Sequence, residues 1–97
     1  MNRRQLVKYI TGLPEVEERQ TWGHPTFRVR GRIFASLPDE PGTAVVKAAL
    51  VEQRVLVSAD PETYAPAPRV GRFGWVQVRF GRVDAATMRE LVQQAWA

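Results

Sequence analysis

The sequence predicts an α+β protein, a two-layer α/β sandwich in which helices cover one face of an antiparallel sheet. Two segments, near the start and the end of the chain, carry apolar residues at the i, i+3, i+4, i+7 spacing of a helix. Between them, short segments alternate apolar and polar residues, as half-buried strands do. Because the chain has 97 residues, we expect one domain, residues 1–97, with a single core.

The first helix is predicted over residues 3–11, with an apolar stripe of Leu6, Tyr9, Ile10 and Leu13. Asn2 can cap it, because its side-chain oxygen can accept from the first free amide groups. Gly12 suits a left-handed residue after the last turn. Pro14 then prevents the helix from continuing.

A hairpin is predicted over residues 26–37, and an exposed strand over residues 16–22 leads into it. Residues 23–25, Gly-His-Pro, have the composition of a turn. Gly31 tolerates the positive φ of a tight turn, so the hairpin should reverse near Arg30 and Gly31. Period-two alternation places Thr26, Arg28 and Arg30 on one face, and Phe27 and Val29 on the other.

The middle of the chain gives one more strand and one ambiguous segment. Residues 38–42 form a loop, and residues 43–50 are predicted as a strand with Val45 and Lys47 on one face. Residues 51–59 fit a strand by their β-branched residues and a helix by Glu-Gln-Arg at 52–54, so the pattern leaves both open. The prolines at 61, 66 and 68 indicate an extended or turning segment that cannot lie in mid-sheet.

The last third combines a basic loop, a strand and a helix. Residues 71–74 are expected to be flexible and basic, and residues 75–80 alternate as a strand. Trp75, Gln77 and Arg79 share one face of that strand. Asp84 is a candidate N-cap for the last helix. The apolar stripe of that helix is Met88, Leu91, Val92 and Ala95.

The charges are unevenly distributed along the chain. Twelve of the 14 basic residues are arginines, and the net charge is +4. The guanidinium group suits phosphate, because its planar fork of donors can bind two oxygens at once. Residues 21–37 and 64–82 contain arginines and no acid, whereas the acids gather elsewhere. This segregation predicts a polarised surface with affinity for polyanions.

The predicted sheet places several cations and one aromatic residue on its uncovered face. This set consists of Arg28, Arg30, Arg32, Lys47, Trp75, Gln77 and Arg79. A solvated face that keeps the sheet soluble is the alternative interpretation, and for any single arginine it is favoured. Trp75 could stack on a base, but we favour packing against the proline segment, and we expect Trp22 to be packed as well.

The sequence offers no pattern typical of an enzyme or a metal site. It has no cysteine and one histidine, His24, which is too few ligands for a zinc site. No P-loop, nucleophile elbow or Gly-x-Gly-x-x-Gly is present. We expect no catalysis, cofactor or metal. With no apolar run near the roughly 20 residues of a membrane span and no apolar leader, we expect no membrane partner and a cytoplasmic location.

The run WGHPTFRVRGRIFASL, residues 22–37, resembles the MmcQ/YjbR family of small bacterial proteins. That family has Trp-Gly-x-Pro-x-Phe before a hairpin that ends in an aromatic residue, as Phe34 does here. Tyr-Ala-Pro-Ala-Pro at 64–68 is similar to the family's aromatic and proline-rich segment. Gly71-Arg72 followed by Gly74-Trp75-Val76 is similar to its Gly-Arg-x-Gly-Trp-Val run. The chain departs from the family pattern at Arg69 and Phe73.

The resemblance implies a frataxin-like and secretion-chaperone-like fold: helix, about four strands, helix, strand, helix. It therefore implies a helix at residues 51–59. It also implies double-stranded DNA binding without enzyme activity. The iron binding of frataxins is disfavoured, because the first helix carries Arg3, Arg4 and Lys8 and no acid.

Two functions of different classes are left open. The first is a non-catalytic, sequence-independent DNA-binding module. Its candidate contacts are Arg28, Arg30, Arg32, Lys47, Arg69, Arg72, Trp75 and Arg79. The second is a protein-interaction or chaperone-like module whose open sheet face docks a partner, or a second copy of the chain.

Overall fold

The computed structural model describes residues 1–21 and 23–97 as a six-stranded antiparallel sheet with three helices. The strand order is β1-β2-β3-β4-β6-β5. The elements are α1 (Arg3–Thr11), β1 (Val16–Thr21), β2 (His24–Val29), β3 (Arg32–Ser36), β4 (Thr43–Val46), α2 (Leu50–Ala59), β5 (Tyr64–Pro66), β6 (Val76–Arg79) and α3 (Ala85–Trp96). Two short 3₁₀ turns, Gly71–Phe73 and Phe80–Arg82, flank β6. Trp22, expected to end the first strand and to be packed, lies outside the described residues.

The helices cover one face of the sheet, which confirms the predicted α+β sandwich. Leu6 and Ile10 of α1 are buried, and so are the four predicted residues of the α3 stripe. They pack against Phe27, Val46 and other apolar residues of the strands in one core. Leu56 and Val57 of α2 contact the edge of this core.

The predicted caps hold, with one correction. Asn2 and Gln5 form a reciprocal capping box, and the carboxylate of Asp84 accepts from the backbone N–H of Thr87 at 2.7 Å. Gly12, expected to be left-handed, has φ −79° and stays right-handed, because its N–H continues the helical pattern to the carbonyl of Lys8. The first residue after α1 with a left-handed backbone is Glu15, with φ 62°.

The second half differs from the predicted order by one strand and several boundaries. Two strands follow α2, and the extra one, β5, contains Pro66. Because β5 is an edge strand, the proline's missing N–H costs no ladder bond, as expected for a proline outside mid-sheet. The strand predicted over residues 43–50 ends at Val46, and α2 begins at Leu50. The helix implied for residues 51–59 is confirmed.

The hairpin differs from its predicted geometry at Arg32. Arg30 and Gly31 have φ of 52° and 79°, which fits a two-residue turn between β2 and β3. This turn makes Arg32 the partner of Val29, whose side chain is in the core. Directly opposed residues point to the same face, so Arg32 lies at the rim of the covered face. Its predicted place on the open face, beside Arg28, is therefore wrong.

The register places each connection at one of two ends of the sheet. We call the end with the β2–β3 turn the hairpin end. It also holds residues 12–15, 47–49 and 67–75 and the last turn of α3. The opposite end holds residues 37–42, 60–63 and 80–84.

Candidate functional site

Seven of the eight candidate contact residues lie at or near the hairpin end. They are Arg28, Arg30, Arg32, Lys47, Arg69, Arg72 and Trp75. They come from three segments that are distant in sequence: residues 28–32, residue 47 and residues 69–75. Four strand spacings separate β2 from β5, so this group extends over about 19 Å, at roughly 4.8 Å per spacing.

Arg79 is separated from the other candidates. It pairs with Thr43 at the opposite end of the sheet. One guanidinium nitrogen of Arg79 lies 3.7 Å from a carboxylate oxygen of Glu40. Gln77 donates to the other carboxylate oxygen of Glu40 at 2.7 Å. The β3–β4 loop thus places Glu40 beside β6, a strand that contains no acidic residue.

The connecting segments at the two ends of the sheet differ in charge, although Arg82 lies among the acids of the opposite end. The connections at the opposite end contain Asp39, Glu40, Asp60, Glu62 and Asp84. The connections at the hairpin end contain one acid, Glu15, which lies 3.8 Å from Arg30 with both side chains exposed. Among the described residues, no carboxylate pairs with Arg28, Arg32, Lys47, Arg69 or Arg72.

The open face is less basic than expected. Its central row crosses all six strands, and one residue of the row is charged. The row is Arg19, Thr26, Ser36, Val45, Gln77 and Ala65. The charged member, Arg19, is bonded to Glu17 at 3.1 Å. Arg28 does lie on this face, opposite Glu17, and its Nε is buried without a partner among the described residues.

A cleft at the hairpin end lies between the β2–β3 turn and the end of α3. Its volume is about 360 Å³, and its walls include Arg30, Arg32, Lys47 and Trp96. The indole N–H of Trp96 donates to the carbonyl of Pro14 at 2.9 Å, which fixes the ring. The last turn of α3 has no basic residue of its own. The cations Arg30, Arg32 and Lys47 line the cleft beside that turn and complement the negative end of the helix dipole.

The segment expected to be flexible, residues 71–74, folds as a turn that is bonded to α2. The buried side chain of Gln53 donates to the carbonyl oxygens of Gly71 and Trp75, at 2.7 and 2.8 Å. Gly74 has φ 107°, and a Cβ there would stand 2.3 Å from the carbonyl oxygen of Ala48. The role of Gln53 could not be predicted from the sequence, because its acceptors lie 18 and 22 residues away.

Two aromatic residues belong to this turn and its end. The guanidinium carbon of Arg72 lies 4.8 Å from the centre of the Phe73 ring, a cation–π contact. Phe73 is 60% exposed. Trp75 is half-buried, and extending the β4–β6 register by one residue places it beside Lys47.

The shifted pKa values belong to groups near the opposite end. Thr63, through the hydroxyl that donates to Asp60 at 2.6 Å, lowers the pKa of that carboxyl, and Arg82 adds to the effect. Burial raises the pKa of Tyr64, and the charges of Asp60 and Asp84 raise it further. The contact that lowers the pKa of Asp60 belongs to the turn between α2 and β5.

His24 is the first residue of β2, where it pairs with Thr21, so it does not belong to the turn in which it was predicted. No group of three or more His, Cys, Asp or Glu residues among those described is placed to hold a metal ion. None of the three helices is long and apolar enough to cross a membrane, as far as the described residues go.

Comparison with known proteins places this architecture in a family. No curated protein matches the chain. A solved structure, that of the Deinococcus radiodurans protein DR2400 with the family-model domain DUF419, has a similar fold, with a TM-score of 0.85 and 22% identity. The likeness covers 98% of this chain and 75% of that one. The family model described as YjbR matches residues 11–97, and the chain therefore belongs to the YjbR family.

Proposed function

We propose that this protein is a non-catalytic DNA-binding module that contacts the phosphates of double-stranded DNA with its hairpin end. The observation that carries the proposal is the end-to-end charge separation. Among the described residues, five cations without a carboxylate partner gather at one end, and most acids of the connecting segments lie at the other. The other five described cations without such a partner, Arg3, Arg4, Lys8, Arg54 and Arg89, are spread over the helices. The proposal includes a cytoplasmic location.

The hairpin end suits a duplex in both chemistry and size. Arginine and lysine supply most phosphate contacts in protein–DNA complexes, and such contacts carry no direct sequence information. A group extending over about 19 Å can reach several phosphates of one duplex. We therefore propose binding that is largely independent of sequence, with Arg28, Arg32, Lys47, Arg69 and Arg72 as contacts. Arg79 is left out, because Glu40 already pairs with it.

The strength of this binding should depend steeply on salt. Each phosphate contact releases about 0.9 counterion from duplex DNA, so about five contacts give a slope of log K against log salt near −4 to −5. Fluorescence anisotropy with a short labelled duplex, repeated over a series of salt concentrations, measures this slope.

Two variants with the same net charge make the test specific to the site. One carries Arg32→Gln, Lys47→Gln and Arg72→Gln. The other carries Arg3→Gln, Arg4→Gln and Arg54→Gln, which removes three exposed helix cations away from the hairpin end. We expect the first to lose about 2.7 units of slope and the second to lose far less, at roughly 0.9 per contact. Equal losses, or no binding by the wild type at low salt, would refute the proposal.

The open sheet face supports a second candidate, the docking of a protein partner. Among the described residues no helix covers this face, and its central row from Thr26 to Ala65 is uncharged. Thr26 and Val45 of this row are buried, so a partner would contact Ser36, Gln77 and Ala65. Such a partner would bind with little salt dependence. Ser36→Arg, in the middle of the row, would block it and would leave the hairpin end unchanged. Salt-sensitive binding that survives Ser36→Arg would favour DNA.

A further inference from the structure

Phe73 stands out as a large apolar side chain exposed among cations. Its residue is 60% exposed, and its sequence neighbour Arg72 covers part of the ring at 4.8 Å. Arg69, three residues before Arg72, is also exposed and has no carboxylate partner among the described residues. An exposed aromatic residue by itself needs no explanation. Phe73, however, lies within the proposed phosphate-binding surface, where an apolar side chain is unexpected.

The turn holds Phe73 in place by backbone bonds on both sides. The N–H of Phe73 donates to the carbonyl of Val70 at 3.0 Å, and the N–H of Gly74 donates to that of Gly71 at 2.9 Å. Gln53 ties the turn to α2. Gly74 packs against the backbone where α2 begins. The backbone that carries the ring is therefore held in one conformation before any ligand arrives, which reduces the entropy lost on binding.

We propose that Phe73 is a wedge that inserts between neighbouring base pairs of bound DNA, with Arg72 beside it to meet the backbone. This inference rests on the proposed function and gives it a preferred substrate. Minor-groove proteins insert apolar side chains, phenylalanine among them, between base steps and bend the duplex. The unstacking cost is smallest where stacking is already weak. The preferred ligand is thus a duplex with a mismatch or a flexible pyrimidine–purine step.

The test compares two labelled duplexes of equal length and charge, one fully matched and one with a single central mismatch. 2-Aminopurine next to the mismatch reports unstacking by a rise in fluorescence. We expect the wild type to prefer the mismatched duplex on the order of tenfold and to raise that fluorescence. Phe73→Ala should abolish both effects and keep the salt slope, because no cation is removed. Phe73→Leu, which retains an apolar wedge, should keep most of both.

Val55→Ala is the matched control, since Val55 is 65% exposed on the outer side of α2. It should behave as the wild type does. If wild type and Phe73→Ala share one ratio of affinities for the two duplexes, the wedge is refuted while phosphate binding stands. The wedge is also refuted if the wild type binds and 2-aminopurine stays quenched. If the wild type binds neither duplex at low salt, the proposed function fails and the wedge fails with it.

Discussion

Gln53 donates a 2.7 Å hydrogen bond to the carbonyl oxygen of Gly71, and this bond joins the middle of α2 to the turn that carries Arg72. A second bond from the same nitrogen reaches the carbonyl of Trp75. One amide group thus satisfies acceptors on both sides of the turn. Gln53 is 6% exposed, so water could not replace it without a change in packing.

Replacing Gln53 by leucine should destabilise the protein by about 2–3 kcal/mol, because carbonyl groups of Gly71 and Trp75 lose their donor while the volume stays similar. Urea denaturation measures the change in midpoint. Gln93→Leu, at an exposed position of α3, is the control and should change stability by less than about 0.5 kcal/mol. Amide hydrogen exchange at residues 71–75 should speed up in Gln53→Leu alone. Equal stability of the two variants would contradict this account.

Gly74→Ala should be among the most damaging single changes in the chain. Its positive φ strains any L residue, and the new Cβ would collide with the Ala48 carbonyl and with the Leu50 nitrogen at 2.6 Å. We expect a loss of about 3 kcal/mol or more, combining the strain with a displaced backbone.

Gly31→Ala separates the two causes, because Gly31 also has a positive φ and has open space around its Cβ position. It should cost about 1–2 kcal/mol, the strain alone. Thermal unfolding of both variants side by side measures the difference. If Gly74→Ala were no more harmful than Gly31→Ala, the steric part of the explanation would be wrong.

The features that could be predicted from the sequence are those set by neighbours along the chain. Asn2 and Asp84 cap helices through residues three positions away, and the α3 stripe follows from helical spacing alone. The turn at Arg30 and Gly31 is equally local. Such features do not depend on strand order, so the sequence is enough to predict them.

The sequence could not show on which face of the sheet Arg32 lies, because that depends on the register of the strand pairing. A two-residue turn opposes Arg32 to Val29, and a bulge beside Arg28 then lets Phe34 and Ala35 both be buried. A shift of one residue exchanges the two faces of a strand. The partnership of Arg79 with Glu40, 39 positions earlier, likewise depends on strand order. Seven of the eight cations and aromatic residues predicted as contacts therefore lie at or near the hairpin end, whereas Arg79 lies at the opposite end.

Glu40→Gln tests whether the opposite end is a solvated, self-paired surface. Glu40 and Arg79 are both about half exposed, so breaking their ion pair should cost roughly 0–1 kcal/mol. The amide can still accept from Gln77, which keeps the loop in place. A double-mutant cycle with Arg79→Gln, followed by urea denaturation, measures the coupling energy.

The same pair gives a prediction for DNA. Arg79→Gln should reduce affinity for a labelled duplex less than Arg32→Gln does, although both remove one positive charge from the protein. Anisotropy at matched low salt compares them. If Arg79→Gln binds the duplex more weakly than Arg32→Gln does, the contact surface is on the open face and the proposed hairpin-end surface is wrong.

Acidification should remove the contribution of the α3 cap. Thr87, through its side chain and then its backbone N–H, lowers the pKa of Asp84 below its ordinary 3.8, and the positive charge of Arg89 lowers it further. A carboxyl whose pKa is lower in the folded state stabilises that state above the unfolded pKa. This contribution is lost as the pH falls through the folded pKa.

Asp84→Ala should therefore have a lower Tm than the wild type at about pH 7, where the charged cap is intact, and the gap should narrow as the pH falls to about 2.5. Asp84→Asn is the control, because its amide oxygen can still cap the helix but does not titrate in this range. Its deficit relative to the wild type should be small and should also shrink on acidification. Circular dichroism at a helix wavelength follows all three melts. A gap between Asp84→Ala and the wild type that stays constant from neutral to acid pH would mean that the carboxylate charge adds nothing to the cap.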